Sequence, residues 1–186
     1  MISVTKISEM DKSMKVWIVV RFRIAIMFGA SLAACQVADA QREFVSFERI
    51  ILDEQMLGGY GVEVADVDSD GLTDIIALAT NPAQLTWYKN PGWRKHLIRV
   101  ATQANIDVAS NDIDNEGDID LALASSFNLR DSAQGGLIHW LENPGDPVMN
   151  QEWQMHYIDE VPTSHRIEWG DVNGDKKREL INLPII

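Results

Sequence analysis

The stretch Asp66-Val-Asp-Ser-Asp-Gly-Leu-Thr-Asp74 decides how this chain is interpreted, because carboxylates recur at every second residue before a single glycine. Alternate residues of a tight loop point to the same side, and Gly71 permits the sharp reversal. Carboxylates packed this closely repel one another unless a cation lies between them, and calcium accepts about six to eight oxygen ligands in a flexible geometry. We therefore predict a calcium loop with the ligands Asp66, Asp68, Asp70, the carbonyl of Leu72, and Asp74.

The same pattern returns twice, as Asp112-Ile-Asp-Asn-Glu-Gly-Asp-Ile-Asp120 and as Asp171-Val-Asn-Gly-Asp-Lys-Lys-Arg-Glu179. The three stretches begin 46 and 59 residues apart (112 − 66 and 171 − 112). An apolar run, an Asn-Pro-Gly turn and a Trp-x-x-His-x-Ile stretch follow each of the first two. This recurrence indicates an internal repeat.

Each repeat predicts short strands joined by tight turns, with no helix. Repeats of roughly 40–50 residues with about four strands are typical of propeller blades. We predict an all-β fold of four-stranded antiparallel blades, incomplete at about two to three blades, with a β-solenoid as the structural alternative. A closed propeller needs about four to eight blades. We therefore expect a fragment that requires further blades or another chain, and that tends to associate through bare strand edges.

The second and third loops keep the pattern with changes. Glu116 stands at the fifth position of the second loop, and Lys176 replaces the glycine of the third. We expect calcium in the second loop, and calcium and a metal-free turn both stay open for the third. The additional predicted ligands are Asp112, Asp114, Glu116, Asp118, Asp120, Asp171, Asn173, Asp175 and Glu179.

These loops are not EF-hands. An EF-hand needs a glutamate at its twelfth position, where the first two loops carry Ala77 and Leu123. Strand-like runs, rather than helices, flank the loops.

Residues 1–40 are predicted to be an export signal, which leaves 41–186 as the mature chain. A basic start precedes the apolar run 24–34, which is too short to span a bilayer. Two cleavage patterns stay open. Leu32-Ala-Ala-Cys35 resembles a lipobox, which would make Cys35 a lipid anchor, and Ala38-Asp-Ala40 has the ordinary Ala-x-Ala form. Either pattern predicts an exported protein: periplasmic, a cell-surface lipoprotein or secreted.

The charge and the cysteine count exclude other classes. The net charge of −12 argues against nucleic acid as a partner, because phosphates need basic residues. Cys35 is the single cysteine of the chain, so an internal disulfide is impossible.

The extra length of the second repeat lies in two segments, 125–136 and 146–152. Such insertions are expected on one face of a repeat array, often the binding face. The repeated tryptophans Trp87, Trp93, Trp140 and Trp153 could stack on sugars, although equivalent positions favour core packing.

The loops, recurring in register with Asn-Pro-Gly, resemble the FG-GAP/VCBS repeats of integrin heads and bacterial surface proteins. The resemblance covers residues 44–186 and implies a calcium-binding β-propeller that binds a carbohydrate or protein ligand. Residues 44–52 are then the last strand of a preceding unit.

Residues 165–184 also resemble FG-GAP propellers related to aldos-2-ulose dehydratases, in which a propeller is part of a sugar-converting enzyme with bound metal. That resemblance implies an alternative function as a carbohydrate lyase or dehydratase. It nominates His156 and His165 as acid/base groups or as ligands of a second metal such as Zn²⁺. The equivalence of His96 and His156 in the repeat favours packing for that pair. A third hypothesis is a purely structural spacer, and whether the chain is an enzyme stays open.

Overall fold

The structure is a computed structural model that describes residues 2–7, 47–131 and 133–185. Most of the predicted signal segment, including Cys35, lies outside these residues. The chain divides into two compact units, one comprising 1–3 and 51–186 and the other comprising 4–50. In the described residues, no helix is long and apolar enough to cross a membrane.

Twelve strands are seen in the described residues. They are β1 (Ile2–Ile7), β2 (Phe47–Asp53), β3 (Gly59–Ala65), β4 (Asp74–Ala79), β5 (Gln84–Lys89), β6 (Arg94–Leu97), β7 (Asp107–Asn111), β8 (Asp120–Ser125), β9 (Leu137–Glu142), β10 (Gln154–Glu160), β11 (Ser164–Gly170) and β12 (Glu179–Pro184). The order β3-β4-β5-β6 makes one antiparallel sheet, which we call blade 1, and β7-β8-β9-β10 makes blade 2. The pair β11-β12 begins blade 3, while β1 and β2 form a separate two-stranded sheet.

This arrangement confirms the predicted fold class: four-stranded antiparallel sheets, no helix in the described part of the chain, and a partial propeller. The predicted strand within 44–52 exists as β2, but it pairs with β1 and does not complete a blade. The blades present are open, which fits a need for further blades.

Alternation along β8 explains how the blades stack. Its side chains are buried on both faces, and successive residues of a strand point to opposite sides. Leu121 and Leu123 pack into the core shared with blade 1, around Trp87 and Trp153. The smaller Ala122 and Ala124 face a second core. That second core includes Ile167 of β11, so blade 2 is covered on both sides.

Side-chain hydrogen bonds join the innermost strands β3, β7 and β11. Ser110 Oγ donates to Glu63 Oε1 over 2.6 Å, which links β7 to β3. The Ile167 amide donates to Asp107 Oδ2 over 2.9 Å, which links β11 to β7. Among the described strands, β3, β7 and β11 belong to different sheets and share no backbone hydrogen-bond ladder, so these side-chain contacts connect neighbouring blades.

The two insertions lie at opposite ends of blade 2, so their expected placement on one face is wrong. Successive connections of an antiparallel meander alternate between the ends of the sheet. Segment 126–136 joins β8 to β9, whereas 143–153 joins β9 to β10. The second insertion also packs against blade 1, because the Arg99 amide donates to the Gln151 carbonyl over 2.6 Å.

Candidate functional site

The three acidic loops connect the first and second strands of their blades, at one end of the blade array. We call 66–74, 112–120 and 171–179 the first, second and third loops. Their backbones repeat: the fourth and sixth residues of each adopt positive φ. These residues are Ser69 (56°), Gly71 (86°), Asn115 (65°), Gly117 (97°), Gly174 (81°) and Lys176 (70°). Lys176 therefore holds a conformation that glycine adopts in the other two loops.

The last acid of each loop closes it by accepting a backbone hydrogen bond. Asp74 Oδ2 accepts from the Val67 amide over 3.2 Å, and its Oδ1 accepts from the Asn90 amide over 2.7 Å. Asp120 repeats both contacts with Ile113 and Asn143, at 3.1 and 2.8 Å. Asp74 and Asp120 are buried, and burial raises the pKa of both carboxyls.

These contacts reveal a role for the Asn-Pro-Gly turns that sequence reasoning missed. The amides of Asn90 and Asn143 each secure the buried aspartate of their blade. In addition, Asn143 Nδ2 donates to the carbonyls of Val67 and Ile119, at 3.0 and 2.9 Å. Val67 belongs to blade 1, so the turn of blade 2 also joins the two blades.

A lysine neutralises the first loop from within the blade. The Lys89 ammonium contacts Asp68 and lies 2.5 Å from Asp70 Oδ2. Hydrogen bonds to these carboxylates raise the pKa of Lys89 and lower that of Asp70. Asp66 instead accepts the amides of Asp70 and Gly71, at 3.0 and 2.8 Å. The ammonium thus places a positive charge beside carboxylates for which the pattern predicts calcium.

The second loop carries Glu142 where the first has Lys89, directly before the Asn-Pro-Gly turn. Glu142 pairs instead with His156 Nε2 over 2.7 Å. Burial raises the pKa of Asp118, and the neighbouring carboxylates raise it further, beginning with that of Asp120. The Asp112 Oδ1 atom is buried without a hydrogen-bond partner. In the described residues, no ion pair neutralises this loop, although Lys176–Arg178 line a recess of about 390 Å³ beside Asp112.

The side-chain amide of Asn173 closes the third loop. Asn173 Nδ2 donates to Glu179 Oε1 over 2.8 Å and to Asp175 Oδ2 over 3.3 Å. Asp171 accepts the backbone amides of Gly174, Asp175 and Lys176. An amide nitrogen therefore faces the carboxylates that a metal would need.

Two of the three loops bring carboxylates to metal-binding distance. In the described part of the chain, one ligand atom from each member lies within 4.8 Å of the others in the sets Asp66–Asp68–Asp74 and Asp112–Asp114–Asp120. The carboxylates of Asp70, Glu116 and Asp118, which are also predicted ligands of these two loops, lie outside these sets. Calcium–oxygen distances of about 2.3–2.6 Å make such a spacing suitable. The second set fits best, because Lys89 already pairs with the first.

His96 and His156 occupy equivalent packing positions. The His96 ring stacks on Trp87 at 4.5 Å, and the His156 ring stacks on Trp140 at 4.4 Å. His96 is buried, and burial lowers its pKa. The geometry therefore assigns the pair to stabilisation of the outer strands.

His165 lies at the opposite end of the inner strands, among aromatic and charged groups. Its Nε2 is 2.6 Å from the Tyr60 hydroxyl, so one proton is shared in a short hydrogen bond whose direction depends on the tautomer. The Phe127 ring lies 5.4 Å from the imidazole. Tyr60 and His165 hold the same place in their repeats, six residues before Asp66 and Asp171.

Arg166 and Asp107 complete this cluster. The Arg166 guanidinium lies 5.2 Å from the centre of the Tyr60 ring and 3.9 Å from Asp107 Oδ1. Burial raises the pKa of Asp107, while the Ile167 amide and Arg166 oppose that rise. We call Tyr60, Asp107, Phe127, His165 and Arg166 the inner-strand cluster.

The sequence nominated only His165 from this cluster. Tyr60, Asp107 and Arg166 lie at or near the starts of β3, β7 and β11, so three repeats supply one site. The sequence does contain a signal that could have identified Tyr60: it precedes Asp66 by six residues, just as His165 precedes Asp171. His156, the other nominated histidine, is not part of the cluster.

Comparisons with known proteins find similarity to aldos-2-ulose dehydratase. Residues 135–186 match the model of the aldos-2-ulose dehydratase β-propeller domain. An aldos-2-ulose dehydratase of Phanerodontia chrysosporium is 27% identical over 133 residues, which cover 69% of this chain. The chain spans only 14% of the length of that relative. The match supports the dehydratase-related part of the resemblance, and membership of the FG-GAP/VCBS repeats stays a prediction.

Proposed function

We propose that this chain is part of a β-propeller that removes water from a keto-sugar, with the inner-strand cluster as its acid/base site. The observation that carries the proposal is the 2.6 Å hydrogen bond between Tyr60 and His165. The similarity to aldos-2-ulose dehydratases supports the choice of a dicarbonyl sugar as substrate.

The reaction needs one base and one acid. A base removes the proton from the carbon next to the ketone, and the C–H electron pair delocalises into the carbonyl as an enolate. The electron pair then returns to form a carbon–carbon double bond, and the hydroxyl on the following carbon leaves with a proton from the acid. The proton taken and the proton given balance, so the net change is loss of one water.

Tyr60 and His165 suit these steps because their shared hydrogen bond leaves one atom able to accept a proton while the other holds one. Histidine is the side chain that serves most often in such transfers. Arg166, over the Tyr60 ring, supplies positive charge for the developing enolate. Asp107, which accepts the Ile167 amide, positions β11 against β7.

The test follows deuterium exchange and elimination separately. The full chain would be incubated with glucosone, a simple aldos-2-ulose, in D₂O. NMR would report deuterium at the activated carbon, and ultraviolet absorbance would report the conjugated enone. Replacing a general acid or base typically costs about 10²- to 10⁴-fold in rate. We expect losses of that size for His165→Gln and Tyr60→Phe.

His156→Gln is the matched control, since this histidine stacks on Trp140 outside the cluster. Its rate should stay within a few fold of wild type. A wild-type chain that neither exchanges nor eliminates, or an unchanged rate for His165→Gln, would reject the proposal.

The second candidate function is an exported calcium-binding module of the FG-GAP/VCBS type that binds a carbohydrate or protein ligand. Its support is the second loop, where a buried, unpaired Asp112 oxygen adjoins carboxylates within 4.8 Å. Calcium there would stabilise the fold and take no part in the elimination. Lipid attachment at Cys35 belongs to this candidate, and mass spectrometry of the membrane fraction would test it.

A further inference from the structure

A groove adjoins the inner-strand cluster and has no part in the chemistry described above. It has a volume of about 550 Å³, and its walls include Gln103, Phe127, Asn128, Gln134 and Glu160. Phe127 also lies 5.4 Å from the His165 ring, so one aromatic side chain borders both the groove and the acid/base pair. The volume is in the range of small-molecule sites, about 300–1,000 Å³.

Contacts within the protein fix the orientation of two amides in this groove. Asn128 Oδ1 accepts the backbone amides of Arg130 and Asp131, at 2.9 and 3.3 Å. Because backbone amides only donate, the Nδ2 of Asn128 must be the free end, and it is a donor. Gln134 Nε2 donates to the Asp131 carboxylate over 2.8 Å, which leaves its Oε1 as an acceptor.

The remaining polar groups alternate in the same way. In the described residues, Gln103 and Glu160 form hydrogen bonds through their backbones alone: the Gln103 carbonyl accepts the Ser126 amide, and the Glu160 amide donates to Asp159 Oδ1. Gln103 offers both a donor and an acceptor, and Glu160 offers acceptors. Donors and acceptors interspersed beside an aromatic ring match a sugar, whose hydroxyls donate and accept around a ring with apolar C–H faces.

Two glycines fix the segment that borders the groove, and Gly135 lines it. Gly135 and Gly136 adopt φ of 80° and 76°, and a Cβ on them would meet the carbonyls of Ser126 and Val161 at 2.2 and 1.8 Å. The Gly136 amide donates to Ser126, and its carbonyl accepts from Val161. The loop is therefore tied down before any ligand arrives, which reduces the ordering cost of binding.

We propose that this groove is a sugar-binding subsite, in which Phe127 provides the stacking surface and Gln103, Asn128 and Gln134 bind hydroxyl groups. The inference rests on the proposed function, because the substrate class is the same. It adds a binding surface formed by the β8–β9 insertion, outside the acid/base pair.

The test measures binding without turnover. Glucose, which lacks the ketone that the proposed elimination needs, would be titrated into the full chain, and glucosone into its His165→Gln variant. Both titrations would be followed by isothermal calorimetry and by saturation-transfer NMR. Asn128→Asp keeps both backbone contacts of Oδ1 and replaces the Nδ2 donor with an oxygen. Gln103→Ala removes a side chain without a partner. Loss of one such contact is expected to weaken binding by about five- to tenfold.

Gln154→Ala is the matched control, since Gln154 is an exposed amide at the end of β10 opposite Glu160. The sugar affinity of this variant should equal that of the wild type. Phe127→Leu keeps apolar bulk and should lose the saturation transfer from the aromatic protons. Absence of sugar binding in the wild type, or equal affinity in all variants, overturns the subsite. If the wild type binds the sugar without eliminating water, and the variants bind it more weakly, the subsite is upheld and only the proposed reaction is rejected.

Discussion

Replacement of Lys176 by glycine is expected to stabilise the protein, although it removes a side chain. Lys176 has φ of 70°, where the equivalent residues of the first two loops are glycines at 86° and 97°. A left-handed conformation costs a residue with a Cβ about 1–2 kcal/mol. Glycine also enlarges the conformational entropy of the unfolded chain, and this destabilises the folded protein by about 0.4–1 kcal/mol. The net gain for Lys176→Gly is therefore about 1 kcal/mol.

Urea unfolding with thermal unfolding would measure this gain, and a chain of this size should show a rise of about 2–4 °C in Tm. Lys177→Gly is the matched control, because it removes the same charge from the next residue, which lacks a positive φ. It should lose about 0.5–1 kcal/mol through glycine entropy alone.

The reverse change tests the same reasoning. An added Cβ at Gly71 or Gly117 meets no atom within 4 Å, so Gly→Ala there should cost stability only through φ. Lys176→Gly and Lys177→Gly variants of equal stability would refute the assignment of the third loop to the same backbone as the others.

Three further predictions concern charge. Burial raises the pKa of Asp53, but hydrogen bonds from Lys95, Tyr88 and the Gln55 amide, together with the Lys95 charge, lower it from 3.8 to about 2, and its side chain is only 8% exposed. A depressed carboxyl pKa stabilises the fold above pH 3.8 and loses that contribution as the pH falls toward 2. Asp53→Asn should therefore cost about 2 kcal/mol at pH 6 and almost nothing near pH 2, measured by urea unfolding at each pH. Calcium at about a hundredfold excess over its Kd should stabilise the chain by about 2.7 kcal/mol, and Asp112→Asn should abolish most of this effect, as followed by calorimetric melting with a chelator control. Lys89→Gln should release the first-loop carboxylates and add a second bound calcium in a calorimetric titration, whereas an unchanged stoichiometry would contradict the role given to the ammonium.

The fold was predictable because its signals are local and repeat. Asp-x-Asp loops, apolar runs and Asn-Pro-Gly turns recur in one order, and each marks a strand or a turn in the structure. The positions of the insertions were predicted wrongly, because the sequence does not reveal which end of a blade a loop occupies until the strand order is known. The pairing of β2 with β1 was also beyond local pattern, since it joins segments about 40 residues apart.

The acidic loops were easier to find than the inner-strand cluster for a physical reason. Every ligand of a loop lies within nine consecutive residues, so spacing alone discloses the group. Tyr60 and His165 lie 105 residues apart and meet only because their strands are innermost in blades 1 and 3. Lys89 was missed similarly, since it reaches Asp68 from another strand of the sheet.

The two ends of the inner strands therefore differ in how their functional groups are assembled. At the loop end, each acidic group belongs to one repeat, and a buried aspartate secures the loop to the turn of the same blade. At the other end, Tyr60, Phe127 and His165 come from three successive blades, so their distances depend on how the blades pack. The Asp107–Ile167 and Glu63–Ser110 hydrogen bonds fix that packing along the inner strands. A cation in the second loop would act on the stability of blade 2, and the acid/base pair would respond only when the blades themselves shift.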